Sequence, residues 1–114
     1  GTEYLLSALV SEGRKRGLSM NKMAELTSLN PARRYGLRNK GDIQIGLDAD
    51  IVLVDPDYNW TIRAEESESG QGYTPFEGQE LDAKVTTTFL RGHCIYDNNQ
   101  VIGDPKGIYL KRPY

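Results

Sequence analysis

The chain has 114 residues, 26% charged and 38% hydrophobic, which is enough for one small globular domain with a modest core and unlike a disordered tail. A net charge of −2 and a pI near 5.4 provide no basic field to draw nucleic acid or an anionic membrane, so neither partner is expected. The single cysteine, Cys94, excludes an internal disulfide, and no apolar run approaches the ~20 residues that span a bilayer.

From Thr2 to Gly17 the apolar residues Leu5, Leu6, Leu9 and Val10 recur at helical spacing, with Thr2 placed to cap and Glu3 suited to the first turn. This opening, "GTEYLLSALVSEGRKRG", carries its cations after its apolar residues, the reverse of a secretory signal. A reducing, soluble, cytoplasmic setting is expected, and glycine in place of methionine at position 1 raises the expectation that residue 1 is not the natural start. Ser19 then offers a second cap, and Met20, Met23, Ala24, Leu26 and Thr27 form a second stripe. "NPARRYG" predicts a third helical turn, with Asn30 capping, Pro31 in the first position and Gly36 closing.

After Arg38 the period changes from 3.6 to 2. "GDIQIG", "DIVLVD" and "YNWTIR" predict three short strands, whereas residues 64–83, polar and rich in glycine and acid, show neither period and predict a long loop. "KVTTTFLRGHCIYDNNQVIG" predicts a strand to Leu90, a break at Arg91 and Gly92, a second strand through Tyr96, and a turn leading to Val101 and Ile102. Residues 103–114 are expected to form an extended arm. Helices thus precede strands, an α+β order, and the first helix has no obvious packing partner within the chain.

Chemistry is sparse. Asp48 and Asp50 precede an apolar strand and Asp55 and Asp57 follow it, placing the two pairs roughly 16 Å apart at ~3.3 Å per residue, a spacing that fits turns and strand ends and not a calcium loop. His93 and Cys94 are strand neighbours whose side chains point to opposite faces and cannot readily share a metal. No G-x-S-x-G elbow accompanies the lone histidine. The glycines of "ESGQGYTPFEG" have neither a leading strand nor a closing lysine, so they read as a flexible loop rather than a phosphate cradle. "GRKRG" suits a helix C-terminus, where cations meet the macrodipole. These readings assign no catalytic, cofactor-binding or metal residue.

The arrangement nevertheless resembles a family. "ELTSLNPARRYGLRNKGDIQIGLDADIVLVDPD" is similar to the C-terminal passage of the cyclic amidohydrolases, the group of hydantoinases (dihydropyrimidinases), allantoinases and dihydroorotases. The similarity continues through "YTPFEG", "VTTTFLRGHCIYDNNQVIG" and "PKGIYLKRP", and the opening "GTEYLLSALVSEGRKRGLSMNKMAELTS" is similar to the last helices of that family's barrel, so it covers essentially the whole chain.

The resemblance implies a C-terminal fragment. Residues 1–38 would be the last helices of a (β/α)₈ barrel, and residues 39–114 most of a small β-sandwich, with the loop 64–83 and the arm 103–114. It implies that Ile51, Val52, Leu53 and Val54 bury on both faces, and that trimming Leu53 to alanine costs about 2 to 5 kcal/mol. It also implies one or two divalent metals, zinc or another, held by barrel histidines, a carboxylated lysine and an aspartate that fall at no position of this chain, so no site residue is carried over.

The function so implied is hydrolysis of a C–N bond in a cyclic amide or ureide by the full-length protein, the fragment alone being inactive. A homo-oligomer is expected. Leu5, Leu6 and Leu9 would face the absent barrel portion, or self-associate. The alternative is a noncatalytic hydantoinase-like protein or assembly module.

Overall fold

The computed structural model describes residues 2–113. Its contacts divide the chain into two compact units, Gly1–Met20 with Val54–Val85 and Asn21–Leu53 with Thr86–Tyr114.

In the first unit, α1 runs Leu5–Lys15 behind a single 3₁₀ turn at Thr2–Tyr4. It ends as expected: Gly17 takes φ +81°, and the Leu18 N–H returns to the Gly13 carbonyl at 2.8 Å, the closure a left-handed glycine permits. The start differs from expectation, because the helix begins after Tyr4 with no side-chain cap. Glu3 instead accepts hydrogen bonds from the Ser67 hydroxyl and the Glu68 N–H.

Of the predicted stripe Leu5, Leu6, Leu9 and Val10, only Val10 is buried. Tyr4, Ser7, Val10 and Ser11 are buried, whereas Leu5 is 60% exposed. Two small serines let the chain between Asp82 and Val85 approach closely, and their hydroxyls accept its N–H groups. Tyr4, Ile62 and Leu81 form the core, flanked by Ala8, Trp60 and Phe76.

The predicted strand "YNWTIR" narrows to β2, Trp60–Thr61, which pairs antiparallel with β3, Glu80–Leu81. Residues 64–83 are therefore more than the long loop predicted: they contain β3, a 3₁₀ turn at Ala64–Glu66, and buried Thr74, Leu81 and Ala83. A strand of two residues is too short to show a period in the sequence.

From Met20, the last residue of the first unit's N-terminal stretch, the helical residues run on into the second, where a break at Asn30 was predicted. The sequence passes from α2, Met20–Ala24, through a π turn at Glu25–Leu29 into α3, Asn30–Arg34. Asn30 has helical dihedrals and is no cap. The widened turn explains this. Pro31 has no N–H for the ladder, and the Asn30 N–H just before it reaches back five residues to the Glu25 carbonyl. Gly36 closes the end as expected, with φ +69° and the Leu37 N–H on the Ala32 carbonyl at 2.8 Å.

No strand forms at "GDIQIG", where Ile43 and Ile45 are 80% and 107% exposed. The Asp42 carboxylate accepts the Ile43 N–H at 2.8 Å and the Gln44 side-chain amide at 2.9 Å, a local turn that outcompetes an unpaired strand.

The main sheet has the order β1-β4-β5-β6, with β1 at Ile51–Asp55, β4 at Lys84–Leu90, β5 at His93–Asp97 and β6 at Gln100–Val101. These last three strands follow the prediction closely. Both tight turns carry two residues at positive φ, Arg91 (46°) with Gly92 (81°) and Asn98 (46°) with Asn99 (67°), the handedness that matches strand twist in a two-residue hairpin. Thr88 lies opposite Tyr96 and Phe89 opposite Cys94, leaving Ile95 as the extra residue of a bulge. Within this chain β1 is not buried on both faces: Val52 is 41% and Leu53 49% exposed. As the edge of the sheet, β1 is paired on one side only. Residues 103–113 contain no helix or strand and are exposed.

Candidate functional site

Of the four aspartates around β1, two meet a residue that sequence reasoning overlooked. Lys40 places its ammonium 2.9 Å from Asp48 Oδ2 and 2.5 Å from Asp50 Oδ2. The other oxygen of Asp50 accepts the Arg91 N–H at 2.9 Å. Between the two carboxylates, the Ala49 carbonyl accepts the Gly92 N–H at 2.9 Å, and the Asp48 N–H reaches the Asn39 carbonyl at 2.9 Å. Two backbone N–H groups, those of Arg91 and Gly92, thus join residues 39–50 to the turn between β4 and β5, while the Lys40 ammonium and the Asp48 N–H tie the segment to itself.

Lys40 is well covered and the aspartates about two-thirds so. The hydrogen bonds from its ammonium to Asp50 and then Asp48 raise the Lys40 pKa, outweighing the opposing effect of burial. For Asp50 burial pushes the carboxyl upward, but the Lys40 and Arg91 hydrogen bonds together with their charges hold it below the ordinary range. Both oxygens of Asp50 and Oδ2 of Asp48 are directed at protein donors. Chemically it is a fold-building ion pair: both carboxylates are engaged by the Lys40 ammonium.

The other candidates remain apart from it. Asp55 accepts the Asp57 N–H at 2.9 Å, the turn-forming role expected of it. His93 is exposed, and Cys94 is half-buried with its thiol 3.6 Å from the Tyr96 carbonyl. In "GRKRG", Arg14 donates to the Pro56 carbonyl at 2.6 Å, and Lys15 pairs with Glu12 at 3.3 Å and with Asp82 at 3.9 Å. Lys15 and Asp82 border an open depression also lined by Asn59, Trp60 and Glu80. Lys84 stands over the Tyr58 and Trp60 rings at 5.1 and 4.9 Å.

The metal implied by the resemblance can be tested against these donors. Among the described residues no group of three or more His, Cys, Asp or Glu side chains converges to hold an ion. Asp48 and Asp50, the best-placed pair, already share Lys40. The described residues do not fit a divalent-metal centre.

With this geometry in hand, comparison with known proteins defines the class. The model of the amidohydrolase family matches residues 2–95, and the chain belongs to that family. It is 38% identical over 112 residues to an allantoinase of Rubrobacter xylanophilus, covering 97% of this chain and 25% of the relative. To a dihydroorotase of Pyrococcus abyssi it is 43% identical over 101 residues, covering 88% of this chain and 25% of that protein.

Solved structures agree. The D-hydantoinase of a Bacillus species superposes with a TM-score of 0.87 at 35% identity over 94% of this chain and 24% of its own. The L-hydantoinase of Arthrobacter aurescens gives 0.83 at 28% identity over 87% and 22%. The chain therefore spans about a quarter of the length of the curated relatives it matches.

Sequence reasoning missed Lys40, Ser7 and Ser11. The serines leave a faint signal, since positions 7 and 11 are one helical turn apart and lie with Tyr4 on one face. Lys40 leaves none, because the alternation of "GDIQIG" marks the residues between it and Asp48 as a strand, whereas the folded chain turns there and brings the two together.

Proposed function

We propose that this chain is the C-terminal structural part of a metal-dependent cyclic amide hydrolase acting on a hydantoin-, allantoin- or dihydroorotate-like ring. The observation that carries this reading is the use of its best-built charged cluster, Lys40 with Asp48 and Asp50, for holding the fold together. Family membership and the names of the relatives support the chemistry. On this reading the helices within residues 1–38 close a barrel and residues 39–114 form most of a sandwich, while the metal donors belong to parts of the polypeptide outside these residues. The chain by itself is inactive. Purified free of contaminating enzyme and stripped of metal, it should leave hydantoin, allantoin and dihydroorotate intact with or without added zinc, and turnover that survives purification overturns the proposal.

Apolar surface supports a partner for the same reason. Leu5, Ile43, Ile45, Val52 and Leu53 are all substantially exposed, more than a small chain leaves to water without cost. We assign their cover to the barrel portion of the parent polypeptide, and self-association to the isolated chain. Sedimentation velocity in dilute buffer should show concentration-dependent association; a stable monomer at all concentrations contradicts this.

A further inference from the structure

The segment 39–50 and the turn at Arg91–Gly92 are distant in sequence, yet the Arg91 and Gly92 N–H groups join them, and the Lys40 ammonium and the Asp48 N–H brace the segment that receives those bonds. We propose that Lys40 is the pin of an electrostatic clasp, so that this segment and the β4–β5 turn open and close as one unit. The argument begins with what the aspartates would do alone. Asp48 and Asp50 flank Ala49, and their carboxylates converge on one point occupied by the Lys40 ammonium. Without that cation two anions would face each other in a partly desolvated site, an arrangement that like charges resist.

Separation of the carboxylates would withdraw Asp50 Oδ1 from the Arg91 N–H and swing the Ala49 carbonyl away from the Gly92 N–H. It would also loosen the Asp48 N–H from Asn39, next to Lys40 itself. The segment has a second anchor. Gly41, at φ +98°, lies so close to α3 that a Cβ there would meet Ala32 Cβ at 2.4 Å and the Ser28 carbonyl at 2.9 Å. Close packing at one end and the ion cluster at the other hold the intervening loop, which carries the exposed Ile43 and Ile45. Loss of the pin frees one end only.

Site-resolved amide hydrogen exchange on the whole chain tests this, independently of any enzymatic activity. Lys40→Met should speed exchange at Asp48, Arg91 and Gly92 at least tenfold, while Ile102, whose N–H bonds the Ile95 carbonyl at 2.8 Å in the same sheet, changes less than twofold. Lys40→Arg, which keeps the charge, should stay near wild type. Unchanged protection at Arg91 and Gly92 in folded Lys40→Met overturns the clasp, as do equal effects of Met and Arg. Should Lys40→Met fail to fold, the wild-type chain decides: the three amides should share one protection factor within about twofold, and three unrelated values overturn the proposal.

Discussion

The hydroxyl of Ser11 accepts the Ala83 N–H at 3.1 Å and the Asp82 N–H at 3.2 Å, so one helix side chain completes the hydrogen bonding of a segment about seventy residues away. Ser11 is fully buried. Water has no access to replace it.

Ser11→Ala should therefore destabilise the chain by about 1 to 3 kcal/mol, the cost of stranding buried donors and not of the lost oxygen's volume. Ser7→Ala strands only the Val85 N–H, held at 3.3 Å, and should cost about 1 kcal/mol or less. Urea unfolding of both variants checks the order; equal effects would show that the paired acceptor role of Ser11 is unimportant.

Leu53 and Ile62 should part company. Ile62 has no exposed surface, and Ile62→Ala should cost about 2 to 5 kcal/mol. Leu53 is 49% exposed, so Leu53→Ala should cost about 1 kcal/mol, below what the sequence pattern implied. Denaturant midpoints of the two variants measure the difference directly.

The Lys40 cluster has a signed pH dependence. The folded pKa of Asp50 lies below the ordinary 3.8, so its contribution is present above 3.8 and is lost as pH falls through the lower folded value. The folded pKa of Lys40 lies above 10.5, so its contribution is present below 10.5 and is lost as pH rises through the raised value. The stability gap between wild type and Lys40→Met should be flat between these limits and shrink at both ends. Thermal melts across pH test it, and a gap that grows on acidification contradicts the assignment.

Two glycines at similar dihedrals offer a further comparison. Gly41→Ala adds a Cβ against Ala32 at φ +98° and should cost about 1 to 3 kcal/mol from overpacking, beyond the left-handed penalty. Gly46, at φ +93°, has nothing within 4 Å of its Cβ position, so Gly46→Ala should cost only about 1 kcal/mol. Calorimetric midpoints of the two variants should differ accordingly.

Local chemistry was legible wherever neighbours in sequence decide structure. The hairpins at Arg91–Gly92 and Asn98–Asn99, the closures at Gly17 and Gly36, and the Asp55 turn need only a few residues in a row, and the chain order of helix before strand follows from its periods. The family resemblance was likewise readable, because its motifs are contiguous. Tertiary structure alone decided which helix face is buried, since Ser7 and Ser11 win their place by bonding N–H groups that only folding brings near. It also decided that Ile43 and Ile45 stay in a turn and that β1 is half-exposed, because a strand needs a pairing partner and a covering layer, and a period cannot say whether either arrives. Lys40 joined Asp48 and Asp50 for the same reason: an ion pair depends on distance through space, which a loop leaves unwritten in the order of its residues.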